Sequence, residues 1–180
     1  MVLETLVVAI WVMLPAYIPN NVAVLAGGGR PIDGGRSWSG RRILGDGKTW
    51  RGTLFGTAAG IFVAFLLNQL HEPFATFTAS TLPIFTLPAA AGLAAGAMFG
   101  DIFASFLKRR TGRARGQSFP LVDQLDFVIG ALVVTAIIAS DWFISTFTIP
   151  ILIVVFLLTP VLHISTNILA FKLGVKNEPW

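Results

Sequence analysis

Five apolar blocks, at 3–26, 53–70, 83–107, 125–142 and 149–171, alternate with more polar intervals at 27–52, 71–82, 108–124 and 143–148. A helix needs about 20 residues to cross the hydrocarbon core of a bilayer. In that medium a helix pairs every amide and carbonyl within one segment. The pattern therefore predicts an all-α, polytopic membrane protein with five transmembrane helices and one membrane-embedded domain over 1–180. The first block has Glu4 as its only early charge, so it lacks the basic start of a signal peptide and is read as a permanent span.

Charge sharpens this layout. All 13 Lys and Arg fall in 27–52, 108–124 and the segment after 171, which an odd number of spans places on one side. Glu4, His71, Glu72 and Asp141 fall on the other. Basic residues mark the cytoplasmic side, so the N-terminus is expected outside, the C-terminus in the cytoplasm and the basic loops on the inner face of the cell membrane. Composition agrees: 54% hydrophobic and 12% charged residues exclude an ordinary soluble domain. There are no cysteines, which excludes disulfides and thiolate metal sites. The net charge of +4 suits phosphate-bearing partners or simply reflects topology.

Small and polar positions within the blocks follow helical spacing. Gly52, Gly56 and Gly60 recur every four residues, as do Gly92, Gly96 and Gly100. Such ridges allow close helix contact, within one chain or in a homodimer. Pro15 and Pro19 interrupt the first block and predict a kink near Asn20 and Asn21. Adjacent amides at that depth glue helices together or face a wet cavity. His163 and Asn167 share a helical face and either bond a neighbouring helix or line a headgroup cavity.

The stretch GDIFASFLKRR places Asp101, Ser105 and Lys108 on one helical face, with Arg109 alongside. A carboxylate so close to the hydrocarbon needs a partner. One reading is an ion pair from Asp101 to Lys108 or Arg109 that anchors the helix end. The other brings in Asp123 and Asp126, three apart in PLVDQLDF, as companions of Asp101. Three carboxylates at one depth suit Mg²⁺, which takes hard oxygen ligands and is completed by substrate phosphates. Lys108, Arg109, Arg110, Arg113 and Arg115 then hold phosphates, or else meet anionic headgroups as topology signals.

The interval 27–52 contains nine glycines in 26 residues. Its GKT is not a nucleotide-binding P-loop, because Arg42 stands where that motif needs glycine. Asp46, Lys48 and Arg51 are candidates for substrate contact, with Asp46 also a candidate metal ligand. Trp38 and Trp50 can stack on a base or sit at the interface. A zinc site is not expected, since His71 and His163 are assigned to opposite sides.

The segment from Gly100 to Asp126 resembles the signature of membrane CTP:phosphatidate cytidylyltransferases through Gly100-Asp101, Ser105 with Lys108-Arg109, and Asp123 with Asp126. It departs from the bacterial and eukaryotic pattern in reading RGQSFPLVDQLD where a Lys-Asp pair, a His-Gly-Gly triplet and an Asp-Arg start to the final acids stand. With its short length, LPAYIPNN, GDGKTWRG and FPLVDQLDF, the whole chain resembles the archaeal CDP-archaeol synthase family. That resemblance implies cytidylyl transfer from CTP to 2,3-bis-O-(geranylgeranyl)-sn-glycerol 1-phosphate, with two Mg²⁺ ions as cofactors. It implies Asp101, Asp123, Asp126 and Lys108 as catalytic residues, and Asp46 as a further metal ligand. Substrate contacts are then expected from Asn20, Asn21, Asp46, Lys48, Arg51, Ser105, Arg109, Arg115, His163 and Asn167. CTP, the ether-lipid phosphate and the bilayer are the expected partners, and nucleic acid is not. Rival readings are an ester-lipid cytidylyltransferase, an alcohol phosphotransferase that consumes a CDP-activated lipid, and a small transporter.

Overall fold

The computed structural model describes residues 2–113, 119–172 and 174. Its helices are α1 (Val2–Leu25), α2 (Trp50–Thr78), α3 (Leu87–Arg110), α4 (Val122–Ile138), α5 (Ser140–Thr146) and α6 (Ile149–Lys172). The all-α expectation needs one amendment, because the loop after α1 carries a small antiparallel ribbon of β1 (Ser37–Trp38) and β2 (Arg41–Arg42).

Four helices, α1, α2, α3 and α6, are long and apolar enough to cross a membrane. The expected fourth span, 125–142, is instead divided between α4 and α5. With 17 residues α4 reaches only about 25 Å at 1.5 Å per residue. Its helical ladder stops at Ala139, whose non-helical backbone (φ −141°, ψ 49°) restarts the chain as α5. The second span is longer than expected, since α2 continues through Pro73 to a left-handed Ala79 (φ 48°). The third starts later, at Leu87, after a non-helical stretch.

That stretch, residues 80–86, is held by side chains. The amide of Asn68 donates to the Phe85 carbonyl and accepts from its N–H, both at 2.8 Å. His71 Nε2 lies 2.8 Å from the Leu82 carbonyl, while Trp11 and Trp142 donate to Pro83 and Ile84. Irregular backbone is tolerated near lipid when protein satisfies its polar groups in this way. Asn68→Leu is expected to lower stability by about 1–3 kcal/mol through the stranded Phe85 groups. Thermal unfolding in detergent should show this loss with KM for CTP unchanged, because the stretch lies away from the loop end described below.

Both glycine ridges are helix contacts within the chain. A methyl group added at Gly60 would sit 2.5 Å from the Pro15 carbonyl, and one at Gly56 would sit 2.6 Å from that of Pro19. Pro19 lacks the N–H that would bond the Pro15 carbonyl inside α1, so the freed oxygen turns to the bare backbone of α2. On α3, Gly92 meets Thr135, Gly96 meets the Gly130 carbonyl, and Gly100 meets the Asp126 carbonyl of α4. Lipid tails are as apolar as leucine, so packing in a bilayer rests on such close approach rather than on exclusion of water. Filled in this way, neither ridge remains as a surface for a second copy.

Candidate active site

Gly100 sets the geometry at the loop end of the bundle. Because nothing but backbone separates α3 from α4 there, Asp101 stands beside the turn that carries Asp126. Lys48, arriving from the long loop, places its ammonium 2.5 Å from Asp101 Oδ2. Lys108, near the end of α3, forms an ion pair with Asp123 of α4, whose second oxygen accepts the Phe119 N–H at 2.9 Å. Asp126 accepts the N–H of Phe127 at 2.6 Å and has no ion pair among the described residues. The anchoring pair expected from Asp101 to Lys108 or Arg109 is not formed. Asp101 and Asp123 each take a lysine from another segment instead. Ser105 lies half-buried one turn beyond Asp101.

The end of α3 is closed by backbone geometry. Gly112 (φ 82°) donates to the Arg109 carbonyl and Arg113 to that of Lys108, the paired bonds that end a helix on a left-handed glycine. Arg109 turns back to the Arg113 carbonyl at 2.8 Å, leaving its buried Nε without a partner. Arg110, expected to hold phosphate or meet headgroups, fastens the ribbon. It donates to the carbonyls of Trp38, Arg41 and Arg42 at 2.8, 3.2 and 2.9 Å. Its guanidinium also lies 5.2 Å from the Trp38 ring, which stacks on Phe106.

Most of the other expected contacts have partners of their own. Asp46 is exposed and bound to Arg42 at 2.7 Å, and Arg51 lies over the Phe55 ring. Trp50 helps to line a cavity of about 450 Å³ within the loop, beside Arg30 and Arg36. Asn21 bonds back to the Tyr17 carbonyl at 3.2 Å, whereas the side-chain Oδ1 of Asn20 is buried without a partner. On α6, Asn167 meets His163 at 3.2 Å, and one turn earlier Thr159 joins Tyr17 of α1 at 2.9 Å. The Tyr17–Thr159 bond joins α1 to α6. Arg115 lies outside the described residues.

The loop has an organiser that the sequence reading passed over. Asp33 is buried, and its carboxylate takes N–H groups from Gly35, Leu44 and Gly45 together with two from Arg42. Burial opposes its ionisation, but the Arg42 guanidinium and the three backbone donors outweigh that and hold the carboxyl well below the usual carboxylate range. The available signal was PIDGG: an aspartate before two glycines favours a turn closed by its own side chain.

A family model described as CarS-like, CDP-archaeol synthase, matches residues 2–180. The chain belongs to the CDP-archaeol synthase family. CDP-archaeol synthases of Natronomonas pharaonis and Haloarcula marismortui are 62% and 63% identical to it, over 100% and 98% of both chains. That of Methanosarcina barkeri is 49% identical over 93% of this chain and all of its own. A solved structure of an intramembrane enzyme for archaeal membrane lipid biosynthesis is 40% identical, covers 89% of this chain and 92% of that one, and superposes with a TM-score of 0.72. The matches span most of this chain and of these relatives, and with its long apolar helices the protein is a multi-pass membrane protein.

Proposed function

We propose that this protein transfers the cytidylyl group of CTP to its lipid phosphate at the loop end of the bundle, where Asp101, Asp123 and Asp126 stand among Lys48, Lys108 and Arg109. A CDP-archaeol synthase is a CTP-dependent cytidylyltransferase of archaeal lipid synthesis. The lipid substrate is 2,3-bis-O-(geranylgeranyl)-sn-glycerol 1-phosphate, and the products are its CDP derivative and diphosphate. One lipid phosphate oxygen bonds to the α-phosphorus of CTP as the α–β bridge breaks and diphosphate departs. The observation that carries this reading is the pairing of Lys48 with Asp101 and Lys108 with Asp123 around the Gly100 contact.

The donor chemistry fits a hard divalent cation. Among the described residues no three acidic or histidine side chains yet close around one point, and two of the acids hold lysine ammonium groups in a cation's place. Asp101, Asp123 and Asp126 would hold Mg²⁺, read as two ions, which supplies charge neutralisation at the transferring phosphorus and the leaving diphosphate. Asp46 would join this set only on exchanging its Arg42 partner. Lys48 and Lys108 exchange a carboxylate for the triphosphate, and the unpartnered Nε of Arg109 adds a donor. The isoprenoid chains remain in the bilayer beside the exposed apolar faces of α2 and α6. Moving them into water would cost about 0.8 kcal/mol per methylene.

The site faces the cytoplasm in this reading. The α4–α5 pair completes a fifth crossing and leaves the N-terminus outside, as the charge asymmetry favours. Pyrophosphate release in detergent, with Mg²⁺ and each nucleoside triphosphate against ether and ester lipid phosphates, tests the function. Release with CTP and the ether lipid phosphate is expected. Its absence with that pair, or equal turnover of ester phosphatidate, overturns the substrate assignment.

A further inference from the structure

The long loop reaches Asp101 through Lys48, and its backbone is fixed from both flanks of Asp33. Ile32, next to Asp33, donates its N–H to the Lys48 carbonyl at 2.9 Å. Lys48 donates its own N–H to the Gly45 carbonyl at 3.2 Å, and the N–H of Gly45 is bound by Asp33 Oδ2. Pro31 and Thr49 form a bridge alongside, and the Trp50 N–H bonds the Arg30 carbonyl at 3.2 Å. Thr49 then caps α2 through the Gly52 N–H. Without Asp33 the segment from Gly34 to Gly47 has five glycines and one two-stranded ribbon to define its course.

We infer that Asp33 is the positioning residue of the triphosphate site: its buried carboxylate locks the glycine-rich loop so that Lys48 is delivered to Asp101. The inference rests on the reading of Lys48 as a triphosphate contact. Asp33 touches neither substrate nor acid and acts through backbone. Arg42 completes the lock by spanning Asp33 and Asp46, and Arg110 ties the same ribbon to α3. Both arms of the Lys48–Asp101 pair are thereby referred to one rigid frame.

Neutral asparagine in place of Asp33 keeps the shape but replaces one accepting oxygen with a donor, which confronts N–H groups that can no longer all be satisfied. Asp33→Asn is expected to raise KM for CTP on the order of 10–100-fold, since misplacement by about 1 Å has effects of that size. KM for the lipid should change less than about twofold, because the defect lies on the triphosphate arm. In a Lys48→Met background, adding Asp33→Asn should change kcat/KM little further, because residues acting through one group are not additive. A merely structural role predicts that the two losses multiply.

A second readout is independent of turnover. The chain contains no cysteine, and a side chain added at Gly47 meets open space. A nitroxide on Gly47→Cys, which has no neighbours to hold it, should report backbone motion, with a broader spectrum in otherwise wild-type protein and a sharper, more mobile one with Asp33→Asn. If Asp33→Asn fails to fold, Arg42→Met serves instead, since it removes the lock's charged partner and leaves the backbone bonds of Asp33. An unchanged spectrum in the folded variant, or multiplicative losses in the double variant, overturns the inference. If Lys48→Met alone leaves KM for CTP unchanged while the spectrum still loosens with Asp33→Asn, the lock stands and the triphosphate role of Lys48 fails.

Discussion

Asp101→Asn is expected to insert and fold normally yet to transfer cytidylyl groups on the order of 10²–10³-fold more slowly, the usual effect of removing one preorganised electrostatic group from a reacting centre. Folding should survive because the α3–α4 contact uses the backbone of Gly100 and Asp126, not the Asp101 carboxylate. Its side chain is about a quarter exposed, at 24%, so loss of its charge leaves Lys48 able to reach water. What disappears is an anionic oxygen beside Asp126, at the point where the proposed divalent cation would bind. Asp123→Asn should act alike, with Lys108 released. Incorporation of labelled CMP into lipid at saturating Mg²⁺ measures both, and near-wild-type incorporation by either variant would remove that acid from the ligand set.

Gly100→Ala should produce the second large effect, and by a different route. The added methyl would sit 2.1 Å from the Asp126 carbonyl oxygen, with the backbone of Phe127 at 3.0 Å. Neither neighbour is a flexible side-chain end, so α3 and α4 must move apart. Overpacking of this kind destabilises by about 1–3 kcal/mol. The separation also carries Asp126 away from Asp101, and a shift of about 1 Å at a reacting centre lowers turnover on the order of 10²-fold. Gly47→Ala is the control, since nothing lies within 4 Å of its added methyl. Thermal unfolding and CMP incorporation measured on both variants separate the cases. A Gly100→Ala protein matching Gly47→Ala in both would show that the acids do not depend on this contact.

Particular residues show how much was legible in advance. The membrane-protein class, the helical backbone and the glycine ridges followed from periodicity, because a helix in lipid satisfies itself and bare backbone invites a neighbour. Asp101, Asp123, Asp126, Lys48 and Lys108 were named from local spacing, and the structure gathers them at one end. The partners within that set were not readable: Asp101 lies 53 residues from Lys48, and no helical period relates them. Arg110 looked like a phosphate ligand because basic runs look alike in sequence. Only the ribbon's carbonyls around it reveal a fastener. Asp33 was overlooked because a turn aspartate is common, and what distinguishes it is burial.

The division of the fourth apolar block shows the same limit. Hydropathy averages over a window and does not register the loss of one helical hydrogen-bond ladder at Ala139, so 125–142 reads as a single span. Residues 80–86 read as helix or loop until Asn68, His71, Trp11 and Trp142 are seen to hold their backbone.

By itself, the order of residues determined that this chain is helical, lies in a membrane and keeps its basic residues in the intervals between apolar blocks and after the last. Those properties come from solvation and from interactions within a few turns. Tertiary structure decided which lysine meets which acid, that a buried aspartate disciplines the glycine-rich loop, and that two helices touch closely enough at Gly100 to seat carboxylates side by side. Such pairings depend on where backbones cross, and segments distant along the chain acquire their spacing only when they pack.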